Sequence, residues 1–211
     1  MKKVLSFLLF LFLSFNLDAH GPSRQKVIEK VEINHSPSVV WELISNFDKY
    51  DWHPDIKDSK ASGNEIGSHR TLTFNNGKVV KQSLEKFNKE KMSLTIRIVE
   101  TDLDVLPVNS YSSIFRVSKD ENNPEKTILT IRAAFYRGFM GNDPPEHLND
   151  ENSKLKVKQF VKKSIAGIQN KLKKCFFFFL FFYSFLFADI KLQETISENN
   201  SYAFITNQES N

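Results

Sequence analysis

The sequence predicts an α+β domain: a curved antiparallel β-sheet wrapped around one long C-terminal helix, with an internal cavity between them. Three observations carry this expectation. Several short runs alternate apolar and polar residues, the pattern of strands with one buried face. Turn sequences separate those runs: Ser62-Gly63-Asn64, Asn75-Asn76-Gly77, Asn88-Lys89-Glu90 and Asn122-Asn123-Pro124. A helical repeat then closes the pattern, with Val157, Val161, Ile165, Ile168 and Leu172 at steps of four, four, three and four. A one-faced antiparallel sheet needs a cover, and this helix is the only predicted element large enough to supply it.

Lys26 to Asn34 alternates and reads as the first strand. A short amphipathic helix follows, with Val39, Leu43 and Phe47 on its stripe and Val40, Trp41 and Ile44 widening it. Ser36 or Ser38 can cap this helix, and Pro37 fits its first turn. Asn46 and Asp48 loosen the pattern before Tyr50, Trp52, His53 and Pro54. Asp58 to Ala61 reads as a short strand. Ile66 to Asn75 reads as a clear one, with Ile66, Arg70, Leu72 and Phe74 on a shared face. Gly77 suits a hairpin turn into Lys78–Phe87. Met92, Leu94, Ile96 and Ile98 line the next strand. Tyr111–Ser118 and Thr127–Tyr136 complete the sheet. Gly138 to Asn152 is irregular, and Asn149 or Asp150 can cap the helix Ser153–Lys173. Gly167, near the middle of that helix, lowers its propensity and makes room beneath it.

The 211 residues contain a single cysteine, so no intrachain disulfide is possible. Residues 1–19 read as an export signal: Lys2 and Lys3, then the apolar run Val4–Phe15, then Ala19 before the cut. The mature chain then begins at His20 and lies in the periplasm or outside the cell. His35, His53, His69 and His147 are single and dispersed, so no metal site is expected. From 20 to 174 there are 26 Lys and Arg against 20 Asp and Glu. Eight of those lysines lie between Lys154 and Lys174, on the polar side of the helix. Such a face is solvated or docks an acidic protein or anionic surface. The arginines are scattered and no RNA- or DNA-binding motif is present, so nucleic acid is not an expected partner.

No stretch reads as a catalytic engine: there is no nucleophile elbow, phosphate loop or HExxH. The candidates instead suit a ligand cavity. Trp41, Tyr50, Trp52 and His53 offer ring faces and polar handles. Tyr111, Phe115 and Phe135 belong to strands that would face the helix. Arg70 shares a face with apolar residues. Buried there, it needs a partner, either Glu85 on the neighbouring strand or an acidic ligand. Arg97, Arg132 and His69 fall on the opposite phase and should meet solvent.

Val40-Trp41 with Phe47, Trp52-His53-Pro54 with Ile56, Gly67 with Arg70-Thr71-Leu72, Gly77, Leu106-Pro107-Val108 with Tyr111, and the C-terminal helix together resemble the SRPBCC superfamily. This is the helix-grip fold of START domains and polyketide cyclases, and the likeness covers about Lys26 to Leu172. The start His20-Gly21-Pro22, Trp52-His53-Pro54 and Asp143-Pro144-Pro145 before a Lys-rich helix resemble its MxaD-like branch. That resemblance implies a secreted, non-enzymatic accessory of a quinoprotein (PQQ) methanol dehydrogenase and its cytochrome c, with no cofactor of its own. Fold likeness leaves open a carrier of a small hydrophobic ligand or lipid, and a cyclase or dehydratase using Arg70, Tyr111 and His53. The rest of the chain is of another kind. Residues 175–188 hold eight phenylalanines and read as a second signal-like or membrane-contacting segment. Residues 189–211 read as a disordered tail, and Tyr202–Asn207 resembles the truncated start of a secreted YVTN-type β-propeller.

Overall fold

The computed structural model describes residues 21–174. The expected export signal 1–19, the segment 175–188 and the tail 189–211 lie outside the described residues. Seven strands form one sheet: β1 (Gln25–Ile33), β2 (Ile56–Ala61), β3 (His69–Phe74), β4 (Val79–Asn88), β5 (Ser93–Thr101), β6 (Val108–Lys119) and β7 (Thr127–Arg137). Their spatial order is β1-β7-β6-β5-β4-β3-β2, and every pairing is antiparallel. Helix α1 (Pro37–Ser45) carries the chain from one sheet edge, β1, to the other, β2. Helix α2 spans 150–174. The architecture is the expected α+β helix-grip.

Register shifts in β2, β4 and β6 account for the curvature. An extra residue on one strand bends it and increases its twist, so the sheet wraps the helix instead of lying flat beneath it. Val157, Val161, Ile165, Ile168 and Leu172 are all buried and join the inner sheet residues in one core. The lysines of α2 lie on its outer side. A 3-10 turn (Glu146–Leu148) leads into the helix, and Asn149 caps it, its Oδ1 accepting the Asn152 N–H at 2.8 Å. The helix therefore starts at 150, three residues before the apolar repeat suggested. Ser153 is buried there and donates to the Pro107 carbonyl at 2.7 Å, which pins α2 to the β5–β6 connection.

Three local expectations are corrected. Ile66 does not share the Arg70 face. It lies in a turn, 63% exposed, because Gly67 takes φ +92° and pairs its N–H with Leu84 before β3 begins at His69. On α1 the buried residues are Pro37, Val40, Trp41 and Ile44, while Val39 is exposed. The stripe is rotated because α1 meets the sheet with its Trp41 side. Met92 precedes β5 with φ +43° and closes the turn from Lys89, so Leu94, Ile96 and Ile98 alone form that strand's buried face.

Candidate ligand-binding site

The segment from Tyr50 to Ile56 lies directly on one stripe of α2. Helix positions 160, 163, 167 and 171 meet it in turn, a spacing that keeps them on one side of the helix. Lys171 pairs with Asp51 at 2.6 Å and Lys163 with Asp55 at 2.7 Å. Between them sits Gly167. A Cβ built there would stand 1.9 Å from the Trp52 carbonyl oxygen. Only glycine lets the two backbones approach this closely.

His53 is buried at the same junction. Its Nδ1 accepts the Asp55 N–H at 3.1 Å, so Nε2 carries the proton and donates to the Phe160 carbonyl at 3.3 Å. Its ring stacks on Phe160 at 4.5 Å. Burial pushes its pKa down to about 4, against the smaller upward pull of the Phe160 carbonyl and Asp55. At neutral pH it is a neutral ring with both nitrogens engaged.

Arg70 projects from β3 into the interior and is only 4% exposed. Its Nε and Nη2 donate to Gln82 Oε1 at 3.2 and 2.5 Å, and its Nη1 to the Phe47 carbonyl at 2.8 Å. The guanidinium lies over the Phe47 and Tyr50 rings, 4.2 and 4.3 Å from their centroids. Burial lowers its pKa to about 10, so it stays charged at neutral pH. The expected Glu85 partnership is not formed: Glu85 pairs outward with Arg97 at 3.3 Å. Among the described residues Arg70 has no carboxylate partner.

The interior near it holds further buried polar atoms. Tyr50 Oη, Trp52 Nε1 and Gln82 Nε2 are buried without a close hydrogen-bond partner, as are Asn46 Oδ1, in the residue before Phe47, and Ser113 Oγ, beside Tyr111. The Tyr50 and Trp52 rings touch, with centroids 4.1 Å apart. Burial raises the Tyr50 and Tyr111 pKa values, and each lies near a hydroxyl that opposes this: Ser164 for Tyr50, Ser113 for Tyr111. The two phenols are also close enough for Tyr50 to raise Tyr111 further. Polar groups thus run from Ser164 to Tyr50, which lies beside Arg70, and on toward Tyr111 and Ser113.

All eight predicted site residues are buried. Tyr50, Trp52, His53 and Arg70 come together. Tyr111 stacks on Phe135 at 6.1 Å and lies at the far end of these polar groups. Trp41 packs away from them, on Phe87 at 5.3 Å, and Phe115 sits on β6 opposite Leu94 as core. Gln82 and Ser113 were missed. Gln82 had a signal, since it lies as far beyond Asn76 as Arg70 lies before it, and a hairpin pairs such positions. A cleft of about 300 Å³ opens at the rim between the β3–β4 turn and α2, with Asn75, Asn76, Val105, Lys156, Gln159 and Phe160 among its walls. Phe160 separates it from His53. No cluster of metal-binding side chains occurs among the described residues, and none of their helices is long and apolar enough to cross a membrane.

A curved sheet gripping a long helix defines the helix-grip class of the SRPBCC superfamily. Residues 24–173 match the family described as polyketide cyclase / dehydrase and lipid transport, and the chain belongs to that family. Among curated proteins none matches. Solved structures share the fold. XoxI from Bacillus cereus is 24% identical with a TM-score of 0.58, over 69% of this chain and 94% of that one. A protein from Nitrosospira multiformis is 17% identical with a TM-score of 0.56, over 70% of this chain and 95% of that one. Norcoclaurine synthase from Thalictrum flavum, in complex with dopamine and hydroxybenzaldehyde, is 13% identical with a TM-score of 0.56, over 73% and 89%. At these identities the likeness is one of fold.

Proposed function

We propose that this chain works by binding: its interior holds a small organic molecule and does not turn it over. The observation that carries this reading is the buried guanidinium without a carboxylate among the described residues, with Gln82 Nε2 and the nearby Trp52 Nε1 buried without acceptors. A folding core leaves such groups unpaired at a cost of about 1–3 kcal/mol each, so a group of them points to a missing occupant. A cyclase or dehydratase would want His53 as base, and both its nitrogens are taken by backbone. Native mass spectrometry of the protein from its own host tests the reading. A stoichiometric organic adduct is expected, and a bare chain after gentle isolation would sink it.

A second reading concerns where the protein acts. Exported through residues 1–19, it would serve in the periplasm as an MxaD-like accessory of a quinoprotein alcohol dehydrogenase and its cytochrome c. The outward face of α2 favours docking: Lys154, Lys156, Lys158, Lys162, Lys173 and Lys174 are exposed, and only Lys163 and Lys171 of the eight form described ion pairs. Association with the dehydrogenase or cytochrome should weaken steeply with salt. Salt-independent binding, or none, rules this out. Residues 175–211 fit a second secreted protein, whose β-propeller start they resemble, fused to the first. A chain recovered in the soluble fraction and ending near Lys174 is the expected result; a full-length membrane-bound chain would replace this with an anchor.

A further inference from the structure

Apart from Asn46 Oδ1, the buried atoms without a close partner can all donate. Gln82 must turn Oε1 toward the guanidinium, because Arg70 offers only donors; its Nε2 hydrogens therefore point elsewhere and find no acceptor. Trp52 Nε1 is a donor only, while the Tyr50 and Ser113 hydroxyls, which lie beside Ser164 and Tyr111, can donate or accept. Arg70 itself has five N–H groups. Three of its nitrogens are engaged, by one amide oxygen and one carbonyl, which leaves a hydrogen free on each of Nη1 and Nη2. Against one unpaired acceptor, Asn46 Oδ1, the interior has a surplus of donors, and its positive charge has no carboxylate partner among the described residues. Water would satisfy donors but not the charge, and a neutral apolar ligand would satisfy neither.

We propose that the ligand is an organic acid held as its carboxylate, with the carboxylate oxygens on Arg70, Gln82 Nε2 and the Tyr50 hydroxyl and the apolar part against the Trp52 and Tyr111 rings. This rests on the binding reading above and names the chemistry of the occupant. The Phe47 and Tyr50 rings, stacked on the guanidinium, hold its fork in place for bidentate pairing.

The test compares benzoate with benzamide and phenylacetate with phenylacetamide, pairs alike in shape and different in charge. Binding is read by calorimetry and by the fluorescence of Trp52 in a Trp41→Phe background. The acids should bind about 10- to 100-fold more tightly than the amides, as expected when one charge-assisted contact is lost. Arg70→Gln should abolish that preference. Tyr50→Phe, which keeps the ring on the guanidinium, should weaken the acids several-fold and the amides by less, because its hydroxyl bonds the charged oxygen more strongly than a neutral carbonyl, so the proposal stays testable if Arg70→Gln does not fold. Equal binding of acid and amide, or a neutral adduct in native mass spectrometry, overturns the acid and keeps the binding reading. No binding of either, with only ordered water at Arg70 in a crystal structure of the unextracted protein, overturns both.

Discussion

Two buried polar regions lie side by side, and they are built on opposite principles. At the junction of residues 50–56 with α2, every polar atom of His53 is spent on backbone: Nδ1 on Asp55 and Nε2 on Phe160, with the Trp52 carbonyl packed against Gly167. One layer deeper, Arg70 is charged with no carboxylate partner among the described residues, and Gln82 Nε2 and Trp52 Nε1 are left without acceptors. The first region stabilises the fold, because buried groups with full partnership are restrained by it. The second costs stability in the empty protein. Sequence type alone would have ranked them the other way, since histidine is the usual catalytic suspect and glutamine is not.

The largest expected effect lies in the satisfied region. Gly167→Ala forces a methyl group into the Trp52 carbonyl, which one of two well-packed backbones must yield to. The gain in helix propensity, about 1 kcal/mol, is outweighed by overpacking of about 3 kcal/mol or more. Urea unfolding should show a net loss of at least about 2 kcal/mol; a neutral result would mean that the junction is loose. Next comes acid. The folded pKa of His53, about 4, lies below its ordinary value of 6.5. The unfolded chain therefore binds the proton more readily. Stability is full above pH 6.5, falls as the pH drops toward 4, and the loss levels off below that at about 3 kcal/mol. Asp55 and Lys163 flank the ring in opposite senses. His53→Gln should flatten this limb while carboxylate titration remains. Identical slopes for the two proteins would show that His53 is not held neutral.

The fold was readable because the cues that specify it are local. Hairpin turns at Asn75–Gly77 and Asn122–Pro124 fix which strands pair, and the apolar repeat of α2 fixes its buried side. Ile66 and Val39 misled because apolar residues also occur on surfaces, and only the positive φ of Gly67 or the seating of α1 on the sheet excludes them from the core. The site was half legible. Arg70 stood out as a charge in an apolar phase. Charge alone offers it Glu85 or an acidic ligand, whereas hairpin register selects Gln82. Ser113 gave no signal, since a serine within a strand is ordinary until its burial is known. The partner of the Trp52 carbonyl could not be read either, because contact between segments 115 residues apart is a property of the packed chain.

A third experiment breaks the comparison from the unsatisfied side. Replacing Arg70 and Gln82 together, by Met and Leu, removes the charge and the amide that serves it. Buried ionic groups exchanged for apolar ones of similar volume are often neutral or better. The Phe47 carbonyl loses its donor, which sets a small cost. The empty double variant should unfold within about 1 kcal/mol of the parent. A loss several times larger would make Arg70 a structural keystone and remove the contrast between the two regions.

The smallest effect sharpens the contrast by asking what holds the junction. Lys163–Asp55 and Lys171–Asp51 look like a clamp on either side of Trp52, yet all four side chains are more than a third exposed. Exposed pairs of this kind contribute under about 1 kcal/mol each, less at high salt. Eight residues of helix separate the two lysines, about 12 Å, so their effects should simply add. Lys163→Ala with Lys171→Ala is expected to lower stability by about 1 kcal/mol in low salt and by less in 0.5 M NaCl. A larger, salt-sensitive loss would mean that charge, and not the close approach at Gly167 and the hydrogen bonds of His53, secures residues 50–56. With the expected small loss, the rings of Tyr50 and Trp52 are positioned for the interior by backbone contact, and that positioning persists when salt or a docked partner covers the lysines.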